Sequence, residues 1–203
     1  MKSFKSFLKE DALDDRLAAQ KKRQEDESKL ETTLKNHYTG LDKHHDTLRN
    51  FTKDSLPINS SLWDKTNVKA DEVKNLDAAI SLHKTPEAFT VWSKTRHDPR
   101  LLKDKNDMVH HPAYISTSIQ KHIPETSFAS RNKVFDAEGN EHHHILKIAV
   151  PKGHAGVYIP DEHSIDNRAK EFILPRGLNI KYKDTNTQKD RHRFYHTHEM
   201  ELE

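Results

Sequence analysis

His111-Pro112-Ala113-Tyr114-Ile115-Ser116-Thr117-Ser118-Ile119 is the stretch on which the rest of the chain turns. Tyrosine, isoleucine and threonine favour an extended backbone. The two-residue period sends Tyr114, Ser116 and Ser118 to one face and Ile115, Thr117 and Ile119 to the other. Hydroxyls spaced between apolar neighbours gain little on a solvent-washed strand, whereas on the floor of a polar cleft they orient a second side chain. That second side chain is expected from Lys170-Glu171-Phe172-Ile173-Leu174-Pro175-Arg176-Gly177, where a single glutamate opens an apolar strand that stops at Pro-Arg-Gly.

Upstream of the hydroxyl strand the chain reads as helix. Asp11 to about Asn36 is rich in good helix formers, with Leu13, Leu17, Leu30 and Leu34 as sparse apolar positions, and Lys21 to Ser28 has no apolar residue, as in a solvated helix or a linker. From His37 to Glu87 the pattern stays helical with breaks at Gly40 and near Pro57, and Val73, Leu76, Ala79 and Ile80 fall on one face. Ala88 to Trp92 opens a β region. Downstream, Ile123 to Ala129 reads as a short helix or loop and Asp136 to Asn140 as a hairpin turn. Strands follow at His144–Val150, Val157–Ile159, Glu171–Leu174, Leu178–Tyr182 and Arg193–His196. Helices first and about six or seven strands afterwards predict an α+β domain.

The bulk properties exclude several classes. Hydrophobic and charged residues each make up 33% of the 203 residues, so the core must be lean and part of the chain peripheral. The 34 basic and 32 acidic residues nearly cancel, unlike the one-signed face of a dedicated nucleic-acid binder. Cysteine is absent, which removes disulfides and thiolate metal sites. No apolar run approaches the roughly 20 residues that span a bilayer, and the N-terminus lacks a secretory apolar region. A soluble protein with no membrane partner is expected.

Taken together, the motifs resemble the ADP-ribosyltransferase exoenzymes of the binary-toxin and phage type, over roughly residues 48 to 185. Asn50 to Leu62 is similar to that family's N-terminal helix junction, and Asp71 to Trp92 to its helix running into the first strand. Ser116-Thr117-Ser118 resembles the Ser-Thr-Ser strand, Lys147 to Gly153 the next strand, and Glu171 to Gly177 the catalytic strand. The resemblance implies N-terminal helices followed by a mostly antiparallel, two-sheet core, and NAD as co-substrate with no metal. It implies Glu171 and Ser116 as catalytic residues of an Arg-Ser-Glu class, with Arg96, Ser116, Thr117 and Ser118 holding NAD. Asn167 and Ala169 stand where the acceptor would be recognised. Chemically, NAD would be cleaved between nicotinamide and ribose through an oxocarbenium-like transition state, stabilised by a carboxylate on the ribose 2′-hydroxyl. ADP-ribose would then pass to a host protein.

Two positions depart from the family pattern. Ser93 follows Trp92 where the family carries an arginine that clamps the NAD phosphates, leaving Lys94 and the more distant Arg96 as cations. Ala169 replaces the first glutamate of the Glu-x-Glu pair found in arginine-modifying members. A non-catalytic binding protein on the same fold therefore stands as the rival reading.

Met1 to Glu10, MKSFKSFLKE, sets Phe4, Phe7 and Leu8 at helical spacing opposite lysines. It resembles the capsid-targeting peptides of T-even-like phage internal proteins, with Leu8-Lys9-Glu10 as the prohead-protease site and Glu10 as the processing position. That resemblance implies a propeptide at 1–10, a helical extension at 11–46 and the transferase-like domain at 47–203. It places the protein in the phage virion interior, with the capsid or prohead as partner, and later in the host cytoplasm. A structural internal capsid protein is a third reading.

Histidine is abundant at 16 residues. His142 and His144 share a strand face, as do His196 and His198, whereas adjacent pairs such as His110-His111 point apart. With no carboxylate at ligand spacing nearby, no metal site is expected.

Overall fold

The computed structural model describes residues 4–66, 69–123 and 134–203, with side chains from residue 13 onward. The expected helix or loop at Ile123–Ala129 lies outside the described residues beyond Ile123, as do Met1 to Ser3 of the N-terminal peptide.

Helix α1 runs without a break from Phe4 to His37. Residues 13–26 are exposed, Leu13 and Leu17 included, because the sequence gives them no apolar stripe. Its contacts with the apolar core come from the last turns, through Leu30, Leu34 and the adjoining Tyr38. Helices α2 (His45–Lys53) and α3 (Leu56–Trp63) follow, with Pro57 in the first turn of α3, where its missing N–H costs nothing. α4 (Ala70–Ser81) buries Leu76, Ala79 and Ile80, on the face its spacing predicts. Its Asp77 accepts from the Tyr114 hydroxyl at 2.6 Å and pairs with Arg176 at 2.8 Å. The Pro-Arg-Gly turn after the glutamate strand is thereby pinned to α4.

The strands are β1 (Phe89–Thr95), β2 (Met108–His111), β3 (Ile115–Ser118), β4 (Val134–Phe135), β5 (Glu141–Val150), β6 (Val157–Tyr158), β7 (Glu171–Leu174), β8 (Leu178–Asp190) and β9 (Arg193–Leu202). A four-residue helix, α5 (Pro99–Leu102), separates β1 from β2. Among the described residues nine strands form one hydrogen-bonded order, β2-β8-β9-β5-β1-β3-β7-β6, with β4 added on β5. Every pairing is antiparallel except β5 with β9. This is the expected α+β arrangement of helices followed by a mostly antiparallel core. The core lies where Val91, Ile148, Val150, Phe172 and Leu174 meet Leu48, Phe51 and Leu76 of the helices. Gly156 sits against the Phe172 ring so closely that a Cβ there would overlap it.

β2 and β4 are strands the sequence did not announce. Met108–His111 has little alternation and is extended because it pairs with β8. Val134–Phe135 is too short to carry a pattern.

Candidate active site

Register aligns the two decisive stretches. Trp92 of β1 is opposite Ser118 of β3, and Ser118 is opposite Glu171 of β7. Directly opposed residues share a face, so Trp92, Ser118 and Glu171 form a row across three neighbouring strands, with Ser116 two positions along on the same face. The Ser116 hydroxyl lies close enough to the Glu171 carboxylate to favour its charged form. Glu171 is only 7% exposed. Burial pushes its carboxyl up to about 7, with Ser116 pulling the other way.

The neighbouring hydroxyls hold backbone in place. Ser118 Oγ donates to Ala169 O at 2.6 Å and accepts from Gln120 N at 3.0 Å. Thr117 Oγ1 points to the other face and donates to Phe172 O at 2.5 Å. Both tie β3 to the segment around Glu171. Neither offers its hydroxyl to a ligand as directly as Ser116 does, since both side chains are fully buried.

The turn entering β7 is held by charge. Lys170 adopts a left-handed backbone, φ 44°. Its Nζ reaches Glu31 of α1 at 2.9 Å and Asp161 at 3.1 Å, and Lys35 bridges the same two acids at 2.8 and 2.9 Å. Burial alone would lower the Lys170 pKa, but hydrogen bonds to Glu31 and Asp161 outweigh it and the pKa rises. Ala169 is buried in this turn and Asn167 is exposed beside it.

Arg96 is not part of the row. It lies beyond the end of β1, four residues past Trp92, on the wall of a cavity shared with His97, Asp98 and His144. Ser93 is buried and donates to Ser116 O at 2.7 Å. Lys94 is buried too, with Nζ 2.8 Å from His143 Nδ1. The cations that border the row come from places the sequence did not mark. Lys121 Nζ lies 5.4 Å from the centre of the Trp92 ring, and Lys22 and Arg23 of α1 line a cavity of about 410 Å³ with Trp92, Ile119 and Lys121. Asp26 and Glu27 share its wall. No sequence signal brings α1 to Trp92, because that approach is set by tertiary packing.

On the opposite face, the histidines of β5 and β9 meet. The parallel register sets His144 beside His196, and His144 Nδ1 lies 3.0 Å from His198 Nε2. Asp98 brings a carboxylate to the same two rings. The carboxylate found missing by sequence spacing is thus supplied from the β1–α5 corner, which no local pattern places there.

With this geometry in hand, likeness to known proteins is specific. The sequence profile of a family described as ADP-ribosyltransferase exoenzyme matches residues 20–202. Among solved structures, the chain resembles Plx2a, an ADP-ribosyltransferase toxin from Paenibacillus larvae, with TM-score 0.68 and 18% identity over 88% of this chain and 96% of that one. It resembles C3stau2 from S. aureus, solved with NAD, with TM-score 0.65 and 18% identity over 88% and 95%. A third is the Clostridium limosum C3 exoenzyme, with TM-score 0.64 and 18% identity over 87% and 93%. No curated protein sequence matches the chain.

Proposed function

Because this chain belongs to the ADP-ribosyltransferase exoenzyme family, we propose that it is an NAD-dependent mono-ADP-ribosyltransferase acting on a host protein. The observation that carries the reading is the buried Glu171 carboxylate, with Ser116 beside it, on the row that Trp92 and Ser118 complete. In this reading the C1′–N bond of NAD breaks and its electron pair leaves on nicotinamide, which becomes neutral. The Glu171 carboxylate accepts the ribose 2′-hydroxyl and stabilises the cationic ribose. A lone pair of the acceptor then bonds to C1′ and the acceptor loses a proton. Ser116 orients Glu171, while Thr117 and Ser118 hold the strand. Lys121, Lys22 and Arg23 supply the charge for the NAD phosphates, in place of the absent first-strand arginine and with Arg96 at a distance. Asn167 and Ala169 flank the acceptor. The Ala169 methyl brings no carboxylate for an arginine guanidinium, which favours another acceptor or water.

The test is nicotinamide release from NAD in host lysate and in buffer, by the wild type and by Glu171→Ala. Release by the wild type alone, enhanced by lysate, is expected. Release in neither condition by folded protein would move the reading to a binding protein that keeps this fold, which Ser93 and Ala169 favour.

A phage setting is part of the proposal. It is supported by the Leu8-Lys9-Glu10 pattern and by exposure of α1 from residue 13 to residue 26. Division into a propeptide at 1–10, an extension at 11–46 and a transferase domain at 47–203 follows from cleavage after Glu10, packaging in the virion and delivery to the host cytoplasm. Mass spectrometry of virions should find a chain beginning at Asp11, and intact Met1 there would count against processing. Among the described residues no helix is long and apolar enough to cross a membrane.

A further inference from the structure

We propose that Asp98, His144 and His198 bind one divalent transition-metal ion of the zinc type, clasping the β1–α5 corner to β5 and β9. One ligand atom from each of the three residues falls within 4.8 Å of the others. The three come from separate parts of the chain: Asp98 caps α5, His144 is on β5 and His198 is on β9.

The donor set is two imidazole nitrogens and one carboxylate oxygen without sulfur. Such a set suits zinc and its neighbours over magnesium or calcium, which prefer oxygen throughout. His144 Nδ1 and His198 Nε2 face each other at 3.0 Å. Two nitrogens on one zinc ion, each at about 2.0–2.1 Å, stand roughly 3.3 Å apart in a tetrahedral arrangement, so the rings need open by only a few tenths of an ångström. Three protein ligands leave one position free, and His144 and Asp98 line a cavity of about 430 Å³ through which an ion and a water can enter.

The surroundings of the ligands are those of a prepared site. The far nitrogen of His198 is hydrogen-bonded to Thr185 Oγ1 at 2.7 Å, and Thr185 to the Tyr182 hydroxyl at 2.7 Å. Partners of this kind fix the orientation of a ligating imidazole. Stacking on His196, with ring centres 4.9 Å away, fixes the plane of His144.

Arg100 works against the site. Its guanidinium holds both oxygens of Asp98, with Nη2 at 2.6 Å from Oδ2. Together with the Arg100 N–H at 3.0 Å, it places two donors on each carboxylate oxygen, so an ion must displace one of these bonds. Arg100 should therefore weaken binding and not abolish it.

The ion sits on the face opposite Trp92. Thr95 of β1 is the register partner of His144, and it points away from the face that Trp92 shares with Glu171. The clasp is thus separate from the NAD-facing row, and its failure would leave the transferase reading intact.

Tag-free, chelator-treated full-length protein should be titrated with cobalt(II) and followed by visible absorption, then with zinc and with magnesium by calorimetry. The expected result is one cobalt per chain with ligand-field bands, displaced by zinc and not by magnesium. Asp98→Asn, which keeps the helix cap, and Thr185→Val should each weaken zinc binding on the order of 10–100-fold, and Arg100→Gln should tighten it. Circular dichroism checks that each variant is folded. No uptake would overturn the proposal, leaving an N–H···N hydrogen bond between neutral rings as the account of the 3.0 Å spacing. Equal uptake by the wild type and a folded Asp98→Asn, His198→Gln double variant would overturn it as well, since the ion would then be bound by other histidines.

Discussion

Lys170 Nζ lies 2.9 Å from Glu31 Oε1, so the residue immediately before Glu171 is fastened to the long N-terminal helix. The contact belongs to a four-charge network with Lys35 and Asp161 and is mostly shielded from solvent at its centre. Lys170→Asn keeps a side chain that tolerates the left-handed backbone but removes the charge. We expect a stability loss of about 1 kcal/mol, measured by urea unfolding, together with a fall in nicotinamide release of at least tenfold. Unchanged release would mean that the anchor does not position the glutamate.

Glu171 predicts opposite pH trends for activity and stability. Its folded-state pKa, about 7, lies above the unfolded value of 4.5. Protonation therefore favours the folded state, and that contribution is fully present below pH 4.5 and lost as pH rises through 7. The difference corresponds to about 3 kcal/mol. In the proposed mechanism the carboxylate is the active form, so activity should rise over the same upper range. Glu171→Gln should abolish nicotinamide release and exceed the wild type in stability above pH 7, as read by thermal melts across pH. A variant less stable than the wild type at high pH would contradict a net burial cost for the carboxylate.

The two serines of the Ser-Thr-Ser strand should separate into different phenotypes. Ser118→Ala leaves Ala169 O without its 2.6 Å donor in a buried setting, at a cost of about 1–3 kcal/mol. Ser116→Ala should cost less stability, because Ser116 is only partly buried, yet lower activity more and move the pH–rate midpoint upward. Paired chemical denaturation and nicotinamide assays would show this, and identical profiles would argue that neither hydroxyl acts on Glu171.

Gly156 is required by contact and not by backbone conformation. A Cβ at this position would overlap the Phe172 ring, which is itself fully buried beside Glu171. Gly156→Ala should destabilise the protein by about 1–3 kcal/mol through overpacking. A thermal melt unchanged from the wild type would mean that the ring has room to move.

The parts legible in the sequence were those whose pattern is local. Ser116-Thr117-Ser118 and Glu171-Phe172-Ile173-Leu174 announced strands by composition, and their facing register follows once both are strands of one sheet. The α4 face was legible from its spacing. What escaped was contributed by partners distant in sequence. The far half of β8, from Lys183 to Asp190, is polar and exposed, and it is extended because β9 pairs with it. Thr185 and Thr187 thereby reach His198 and His196 at 2.7 and 2.9 Å. Lys121, Arg23 and Asp98 have unremarkable neighbours in the chain, and their positions follow from packing alone. Ser93 was legible as a departure, but its burial and its bond to Ser116 O were not.

The parallel pair in an otherwise antiparallel sheet has a consequence for the order of assembly. β9 lies between β8 and β5, although it follows both in the chain. A polypeptide emerging amino end first would have β1, β3, β5 and β7 in hand and still present an unsatisfied border along β5 until Arg193–Leu202 arrived. Closure of that border thereby waits for Arg193–Leu202, and a chain halted before Arg193 would carry Glu171 and Ser116 on an unfinished scaffold prone to edge-to-edge association.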